Sequence, residues 1–133
     1  MDGLLIRLAR PEELARAGEI VVEAYRAGGF LDNAEVGYAE KLADTASRAS
    51  TAELYVALLD GDVVGCVTYC PNGTIWGEIA RPDEGEFRML GVAEAARGHG
   101  IGLALTERCL ERSRELWYGG VVLSSLPRMT SAH

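Results

Sequence analysis

The amino-acid sequence predicts an α/β domain built on a mixed β-sheet. Apolar residues recur at helical spacing after Pro11, two β-rich runs flank the dipeptide Asp60-Gly61, and a strand, a helix and a strand follow one another over residues 86–124. Strands joined by a tight turn pair antiparallel, whereas strands joined through a helix are parallel with a right-handed crossover. A chain of 133 residues has the length of one domain, so we expect a single domain over residues 1–133.

The first two elements are a strand and a helix. Leu4 to Leu8 is a short apolar run, and we predict the first strand there. Pro11 with two glutamates after it is a typical helix start, and Gly28-Gly29 is a typical helix end. The apolar residues between them repeat at the spacing of one helix face: Leu14, Ala17, Gly18, Val21, Val22 and Tyr25.

A loop and a weaker helix follow. Phe30 to Gly37 contains the turn-forming residues Asp32 and Asn33, so we predict a loop there. We predict a second helix over about Ala34 to Ala49. Its packed side is expected to carry small apolar residues: Val36, Ala39, Ala43 and Ala46.

The middle of the chain is predicted to form a β-hairpin. Glu53 to Leu59 and Val63 to Tyr69 are the two predicted strands, because Asp60-Gly61 between them is typical of a two-residue turn. After them we predict a second turn at Pro71-Asn72-Gly73 and an irregular segment at Ile75 to Pro82. Asp83-Glu84-Gly85 then turns into the next strand.

A glycine-rich turn lies at the centre of the parallel unit. We predict a strand at Glu86 to Val92, a short connection, the turn Arg97-Gly98-His99-Gly100-Ile101-Gly102, and a helix to about Trp117. Glycines at alternate positions let the backbone approach a bulky group. The start of the helix offers unpaired N–H groups and the positive end of its dipole, so the turn is a candidate anion site.

The same helix is apolar on two sides. One stripe contains Ile101, Ala104, Leu105, Cys109 and Leu116, and the opposite stripe contains Leu103, Leu110 and Trp117. A helix of this kind is usually covered on both sides or meets a partner, so a homodimer is a hypothesis. Gly119-Gly120 ends the helix, and Val121 to Ser124 is predicted as the last strand.

Two better-known glycine patterns do not fit the turn. A dinucleotide-binding fingerprint needs a third glycine, but the chain has Leu103 or Leu105 at the position in question, depending on which glycine is counted first. It also needs an acidic residue at the end of the next strand, and residues 122–125 contain none. The phosphate loop of nucleotide hydrolases needs a lysine that is absent from this stretch. A purely structural role for the glycines stays open.

Composition excludes several other classes. The net charge of −7 argues against a nucleic-acid partner. No apolar run approaches the roughly 20 residues of a membrane span, and the N-terminal residues do not resemble a secretory signal, so we expect a cytoplasmic protein without a membrane partner. The cysteines are expected to be buried and reduced, because Cys66 and Cys70 are too far apart in a strand to bond. Two histidines and three scattered cysteines are too few for a zinc site, so no metal is expected.

The residues around the turn resemble the acetyl-coenzyme A (acetyl-CoA) motif of the GNAT superfamily of N-acetyltransferases. That motif is an apolar-x-Val strand end, a short connection and then Arg/Gln-x-x-Gly-x-Gly/Ala. The matching residues here are Leu90-Gly91-Val92, Ala93-Glu94-Ala95-Ala96, and Arg97-Gly98-His99-Gly100-Ile101-Gly102 followed by Leu103-Ala104-Leu105. The preceding order of strand, two helices, hairpin and strand is similar too, so the resemblance covers nearly the whole chain.

The resemblance implies a GNAT-like mixed sheet flanked by helices, with its two parallel strands splayed apart. Pantetheine would lie along the backbone of Leu90, Gly91 and Val92, where an N–H would polarise the thioester carbonyl. The pyrophosphate would lie on the N–H groups of the turn, with the side chains of Arg97 and His99 as further phosphate contacts. The cofactor-binding residues implied at the turn are Arg97, Gly98, His99, Gly100, Ile101 and Gly102.

The implied reaction is direct attack of an amine on the thioester, which needs a general base. Glu86 is the candidate, because some members of the family place a catalytic glutamate on this strand. Glu84 and Glu78 are alternatives, and a strand-start carboxylate that pairs with Arg88 or meets solvent is an equally weighted interpretation of Glu86. The family's tyrosine general acid and its closing strands would fall beyond His133, so the C-terminal part is expected to be missing.

The resemblance also implies where the acceptor binds. The acceptor would meet the loop Phe30 to Tyr38 and the connection Ile75 to Gly85. An acidic pocket there would suit a cationic amine on a small molecule or a peptide. The candidate lining residues are Phe30, Asp32, Glu35, Tyr38 and Trp76.

Two other functions remain open at this stage. One is a non-catalytic acyl-CoA-binding module of the same fold. The other is a protein-interaction domain whose glycine turn is only structural.

Overall fold

The fold is a five-stranded mixed sheet in the strand order β1-β2-β3-β4-β5. The coordinates are a computed structural model of the 133-residue chain that describes residues 3–32, 34, 36–71 and 84–124. The pairs from β1 to β4 are antiparallel, and β4 pairs with β5 in parallel, which confirms the predicted mixed sheet. The strands are β1 (Leu4–Leu8), β2 (Glu53–Leu59), β3 (Asp62–Cys70), β4 (Glu84–Val92) and β5 (Gly120–Ser124).

Four helices cover the sheet in the described part of the chain. They are α1 (Leu14–Ala27), α2 (Tyr38–Ala43), α3 (Thr45–Thr51) and α4 (Ile101–Glu115). Short 3-10 turns precede α1 and α4, at Pro11–Glu13 and Glu94–Ala96. The predicted start of α1 after Pro11 and its end at Gly28 are confirmed.

Helices pack on both faces of the sheet at β2. Along β2, Leu54, Val56 and Leu58 pack in a cluster with residues of α1, and Tyr55 and Ala57 pack in a second cluster with residues of α4. Side chains of a strand alternate between faces, so a strand covered on both sides must be apolar at successive positions. This explains the uninterrupted apolar run of β2.

The predicted second helix is wrong in its bounds and in its packed side. The chain forms two short helices that are separated at Asp44, whose carboxylate accepts a hydrogen bond of 3.2 Å from the N–H of Ser47. An aspartate that caps a new helix in this way competes with continuation of the previous one. Val36, Ala43 and Ala46 are exposed, and the buried residues are Leu42, Thr45 and Arg48.

Three smaller expectations can be compared with the structure. The strand predicted from Glu86 begins two residues earlier, at Glu84. The outer stripe of α4 is largely uncovered within the described part of the chain, because Leu103 is 64% and Trp117 is 93% exposed, whereas Leu110 is half-buried. The three cysteines are free and buried, as predicted. The turn at 71–73 beyond Pro71, and the irregular segment 75–82, lie outside the described residues.

The helices described above are too short or too polar to cross a membrane. None of those in the described ranges has the length and apolar character that crossing a bilayer requires.

The start of α1 is held by one carboxylate with two sets of contacts. Glu13 accepts hydrogen bonds of 2.8 and 2.7 Å from the guanidinium of Arg7 and one of 2.8 Å from the backbone N–H of Arg10. The Arg7 contact is the main reason that the pKa of Glu13 is lowered from 4.5 to about 2. A carboxylate with a lowered pKa stabilises the fold fully above its ordinary pKa and loses that effect as the pH falls through the lowered value.

We therefore expect Glu13→Gln to lower the free energy of unfolding at pH 7 by about 1 kcal/mol, the usual effect of a lost capping contact. The difference between variant and wild type should disappear as the pH falls from 4.5 towards 2. Urea unfolding at several pH values measures it. Glu12→Gln, at an exposed neighbour, is the control. A difference that persists at pH 2 would contradict the assignment to the ionised carboxylate.

Candidate active site

A β-bulge interrupts β4 near its end. Thr68 of β3 pairs with Arg88 and Cys66 pairs with Gly91, so Met89 and Leu90 together lie opposite one residue. Met89 has a φ of 56°, in the left-handed region that side chains rarely adopt. A bulge bends a strand and changes the direction of the side chains that follow it. Sequence reasoning missed this feature, since methionine is not a residue that marks positive φ.

The bulge lies where the described pairing of β4 with β5 ends. The last pair is Arg88 with Ser124, and Leu90, Gly91 and Val92 extend further along β4. Whether the two strands splay beyond this point depends on residues after Ser124, which are outside the described ranges, so the splay stays a prediction. Gly91 lets α1 approach β4 closely, because a Cβ at Gly91 would lie 3.0 Å from the Cα of Val21.

The glycine turn exposes a row of backbone donors. Within the described part of the chain, the N–H groups of Gly98 to Leu103 donate no backbone hydrogen bond, and the first bonded N–H is that of Ala104, to the carbonyl of Gly100. Gly98 and Gly100 have φ values of 85° and 73°, and a Cβ at either would meet nothing within 4 Å. Glycine is needed there for the backbone conformation, and the turn opens onto free space.

The structure brings the turn and the end of β4 together. Ile101 is 1% exposed and packs in the core, which fixes the first residue of α4 against the sheet. A Cβ built at Gly102 would lie 3.8 Å from the side chain of Val92 and 4.0 Å from that of Leu90. Free N–H groups at the start of a helix form an anion site, and here that site adjoins an apolar strand end. The side chains of Arg97 and His99 are exposed on the turn.

Glu86 lies on the other face of the sheet. Its Cα partners are Cys70 on β3 and Val122 on β5, and its side chain is 0% exposed. Because side chains alternate along a strand, Glu86 lies on the α1 side of β4, while Phe87 packs in the cluster on the α4 side. A solvated carboxylate at the start of a strand is therefore not the role of Glu86 in this fold.

Around Glu86 the sheet carries a buried polar layer, which we define as Arg48, Thr68, Glu86 and Arg88. Arg48 is fully buried on α3, and its Nε donates a hydrogen bond of 2.9 Å to the hydroxyl of Thr68. Its two terminal nitrogens donate to the carbonyls of Lys41 and Leu42, at 2.6 and 2.8 Å. These carbonyls belong to the last turn of α2, so the hydrogen bonds of Arg48 connect the end of α2 with Thr68 of β3.

Sequence reasoning missed Arg48. The sequence signal that could have indicated it is the spacing of Leu42, Thr45 and Arg48, which lie three residues apart and so on one side of a helix. In the structure all three are buried. An apolar pattern does not reveal an arginine on the packed side of a helix, because arginine is rarely fully buried.

Tyr25 of α1 interacts electrostatically with the two arginines of the buried polar layer. Burial raises the pKa of Tyr25, and the nearby guanidiniums of Arg88 and Arg48 oppose that rise. Burial lowers the pKa of Arg48; Cys66, the Asp44 carboxylate and Tyr25 oppose that fall, and Arg88 adds to it. The two arginines are thus close enough to repel each other beneath α1.

The residues predicted to line an acceptor pocket are only partly described. Phe30 and Tyr38 pack against the ring of Tyr25, with ring centroids 6.1 and 6.3 Å away. Asp32 is exposed. The remaining candidates, Glu35, Trp76 and the alternative base Glu78, lie outside the described residues. Among the side chains that the structure describes, no group of three or more His, Cys, Asp or Glu residues is placed to hold a metal ion.

Comparisons with known proteins agree with this fold. Residues 18–129 match the family model described as the acetyltransferase (GNAT) family. The fold is similar to a GNAT family acetyltransferase from Brucella melitensis, solved in complex with acetyl-CoA, with a TM-score of 0.68 and 23% identity over 97% of this chain and 80% of that chain. No curated protein matches the chain significantly.

Two further solved structures show the same fold. A GNAT family acetyltransferase from Staphylococcus aureus Mu50 has a TM-score of 0.72 and 13% identity, with 97% of this chain and 78% of that chain covered. A ribosomal-protein-alanine N-acetyltransferase from Brucella melitensis biovar Abortus 2308 has a TM-score of 0.65 and 22% identity, with 97% and 84% covered. At these identities the likeness concerns the fold.

Proposed function

The chain belongs to the acetyltransferase (GNAT) family, as the sequence resemblance indicated, and we propose that it transfers an acetyl group from acetyl-CoA to a primary amine. The observation that carries this proposal is the row of free N–H groups at Gly98 to Leu103, placed beside the end of β4. Acetyl-CoA is a diphosphate joined to a long, weakly polar thioester arm. A donor-rich turn next to an apolar strand end has the matching chemistry.

The proposed acetyl-CoA site uses backbone groups. The N–H groups of the turn hold the pyrophosphate, and the exposed side chains of Arg97 and His99 lie where they can add contacts to phosphate. The backbone of Leu90, Gly91 and Val92 offers the pantetheine arm a strand edge beyond the last described pair with β5. An N–H at this edge polarises the thioester carbonyl during attack.

The proposed base is Glu86, acting through water. The amine nitrogen bonds to the acetyl carbon as the carbon–sulfur bond breaks; the amine gives up a proton and the coenzyme leaves as a thiolate. Direct proton transfer needs a heavy-atom distance of about 3 Å. Met89 and Leu90 share one position of the ladder, so at about 3.3 Å per residue the Cα of Glu86 lies roughly 10 Å from that of Leu90, and a water relay is the proposed route from the amine to the carboxylate.

The two halves of the site lie on opposite faces of β4. The turn and α4 are on one face, and Glu86 is on the other, under α1. The acceptor therefore approaches from the α1 side, where Phe30 and Tyr38 pack on Tyr25. The homodimer through the outer stripe of α4 and the cytoplasmic location stay predictions.

The full burial of Glu86 is the observation that favours the rival function, a non-catalytic acyl-CoA-binding module. Two measurements separate the readings. Calorimetry with acetyl-CoA tests binding, and a panel of primary amines with detection of the released thiol tests transfer. We expect saturable binding and thiol release with at least one amine. Binding without release for any amine would support the binding module, and no binding at all would leave the interaction domain.

A further inference from the structure

We propose that the outer stripe of α4, which consists of Leu103, Leu110 and Trp117, binds the same stripe of a second copy of this chain, with the two helices antiparallel. The inference goes beyond the proposed acetyl transfer and does not depend on it. It is carried by the exposure of the stripe and by the order of the charges beside it.

The outer stripe is a row of apolar side chains with a spacing of seven residues. Leu103 and Trp117 are exposed and Leu110 is half-buried, whereas Ile101 and Leu105 on another side of α4 pack in the core. Residues seven apart lie on nearly one line along a helix, because seven residues make almost two turns. A row of this kind is the apolar seam of a coiled coil, which is buried against a second helix.

Two charged residues form a second line beside the stripe. Glu107 lies four residues after Leu103, Arg114 lies four residues after Leu110, and both are exposed. Among the described residues neither has an ion-pair partner, so both charges are available to a second chain. The other charged residues of α4 that the described ion pairs include already have partners: Arg108, Glu111, Arg112 and Glu115.

The order of these residues is symmetric about Leu110. Along the helix it is apolar, acidic, apolar, basic, apolar: Leu103, Glu107, Leu110, Arg114, Trp117. A two-fold axis between antiparallel helices keeps a flanking residue on the same side of the pair and reverses its position along the helix. An axis near Leu110 therefore brings Glu107 beside the partner's Arg114, twice in each dimer. A parallel pair would set each charge level with the same charge of the partner, so the charges select the antiparallel arrangement.

The antiparallel arrangement also brings the partner's Trp117 to Leu103. Leu103 directly follows Gly102, so the contact adjoins the glycine turn of each subunit. The 15 residues of α4 span about 22 Å, which makes the contact between the two helices small. Interfaces at the low end of the size range are weak, so we expect a dissociation constant in the micromolar range.

The test is sedimentation equilibrium of the full chain at concentrations from micromolar to millimolar. We expect wild type to form a reversible dimer. Glu107→Arg and Arg114→Glu should each weaken it by about 10-fold, because each substitution places like charges together at two symmetric contacts. The double variant, Glu107→Arg with Arg114→Glu, restores the pairing with its signs reversed, so it should dimerise within a few-fold of wild type. Glu23→Arg, at an exposed position of α1, is the control and should dimerise like wild type.

Leu110→Asp places two carboxylates at the axis and should weaken the dimer by about 100-fold or more. Circular dichroism shows whether this variant is folded. A wild-type chain that stays monomeric at millimolar concentration would overturn the inference without any variant, and this is the result expected if another part of the chain covers the stripe. A dimer that the exposed charge variants leave unchanged would overturn it too. So would a dimer that each single variant weakens and the double variant fails to restore, since the two charges would then not face each other.

Discussion

Replacing Glu86 with glutamine is expected to lower kcat/KM for the acceptor by about 10²- to 10⁴-fold, the range that a general base contributes. Glutamine keeps the size of the side chain and cannot take up the amine proton. The dissociation constant for acetyl-CoA should stay within a few-fold of wild type, since the turn lies on the opposite face of β4. Thiol release under saturating acetyl-CoA, with calorimetry for binding, measures both quantities.

Two comparison variants make that experiment specific. Glu23→Gln removes an exposed carboxylate of α1 and should leave the rate unchanged. Glu84→Gln removes the other described carboxylate near the start of β4, which is half-buried. If Glu84→Gln lost the activity and Glu86→Gln retained it, the base would be Glu84. A full rate in both would show that neither carboxylate takes the proton.

The Glu86→Gln variant should also be less stable than wild type. Glu86 is fully buried and has interaction partners inside the fold, so an amide in place of its carboxylate leaves those partners imperfectly satisfied. A loss of activity must therefore be measured at a temperature where the variant is folded, as checked by circular dichroism.

The second large effect is expected at the glycine turn. Gly100→Ala should weaken acetyl-CoA binding by about 10- to 100-fold, which corresponds to losing one hydrogen bond from an N–H group to a charged phosphate. The φ of 73° at Gly100 does not suit alanine, so the turn would shift and change the direction of its N–H groups. Calorimetric titration of acetyl-CoA measures the change.

Gly61→Ala is a closely matched control. Gly61 has a φ of 89° in the β2–β3 hairpin, and a Cβ there also meets nothing within 4 Å. Both substitutions should cost about 1 kcal/mol of stability through the backbone alone. Only Gly100→Ala should lose affinity. Equal affinity in the two variants would mean that the turn does not bind the diphosphate.

The elements that the sequence predicts well are those set by local chemistry. Pro11 and Gly28 bound α1, Asp60-Gly61 forms the hairpin, and the strand–helix–strand order places β5 parallel to β4. The donors of the turn are local as well, because they follow from glycines at the start of a helix. A single sequence is sufficient for such features.

The side of β4 that faces α1 could not be predicted in the same way. Arg48 and Arg88 are 40 positions apart in the sequence and come together only because α3 packs against β2 and α1, which brings Arg48 to Thr68, the cross-strand partner of Arg88. The split of the second helix at Asp44 depends on a cap, which small residues on both sides do not reveal. The bulge at Met89 has no residue signature, so its effect on the end of β4 appears only in the fold.

The central claim is that the backbone of the glycine turn holds the diphosphate of acetyl-CoA. The most direct measurement is a titration of the isotope-labelled protein with acetyl-CoA, followed through the backbone amide resonances. The proposal predicts large, saturable shifts at Gly98, Gly100 and Gly102, and smaller ones at Leu90 to Val92. Saturable binding that leaves those amides unmoved and shifts others instead would contradict it, and so would the absence of binding at millimolar ligand.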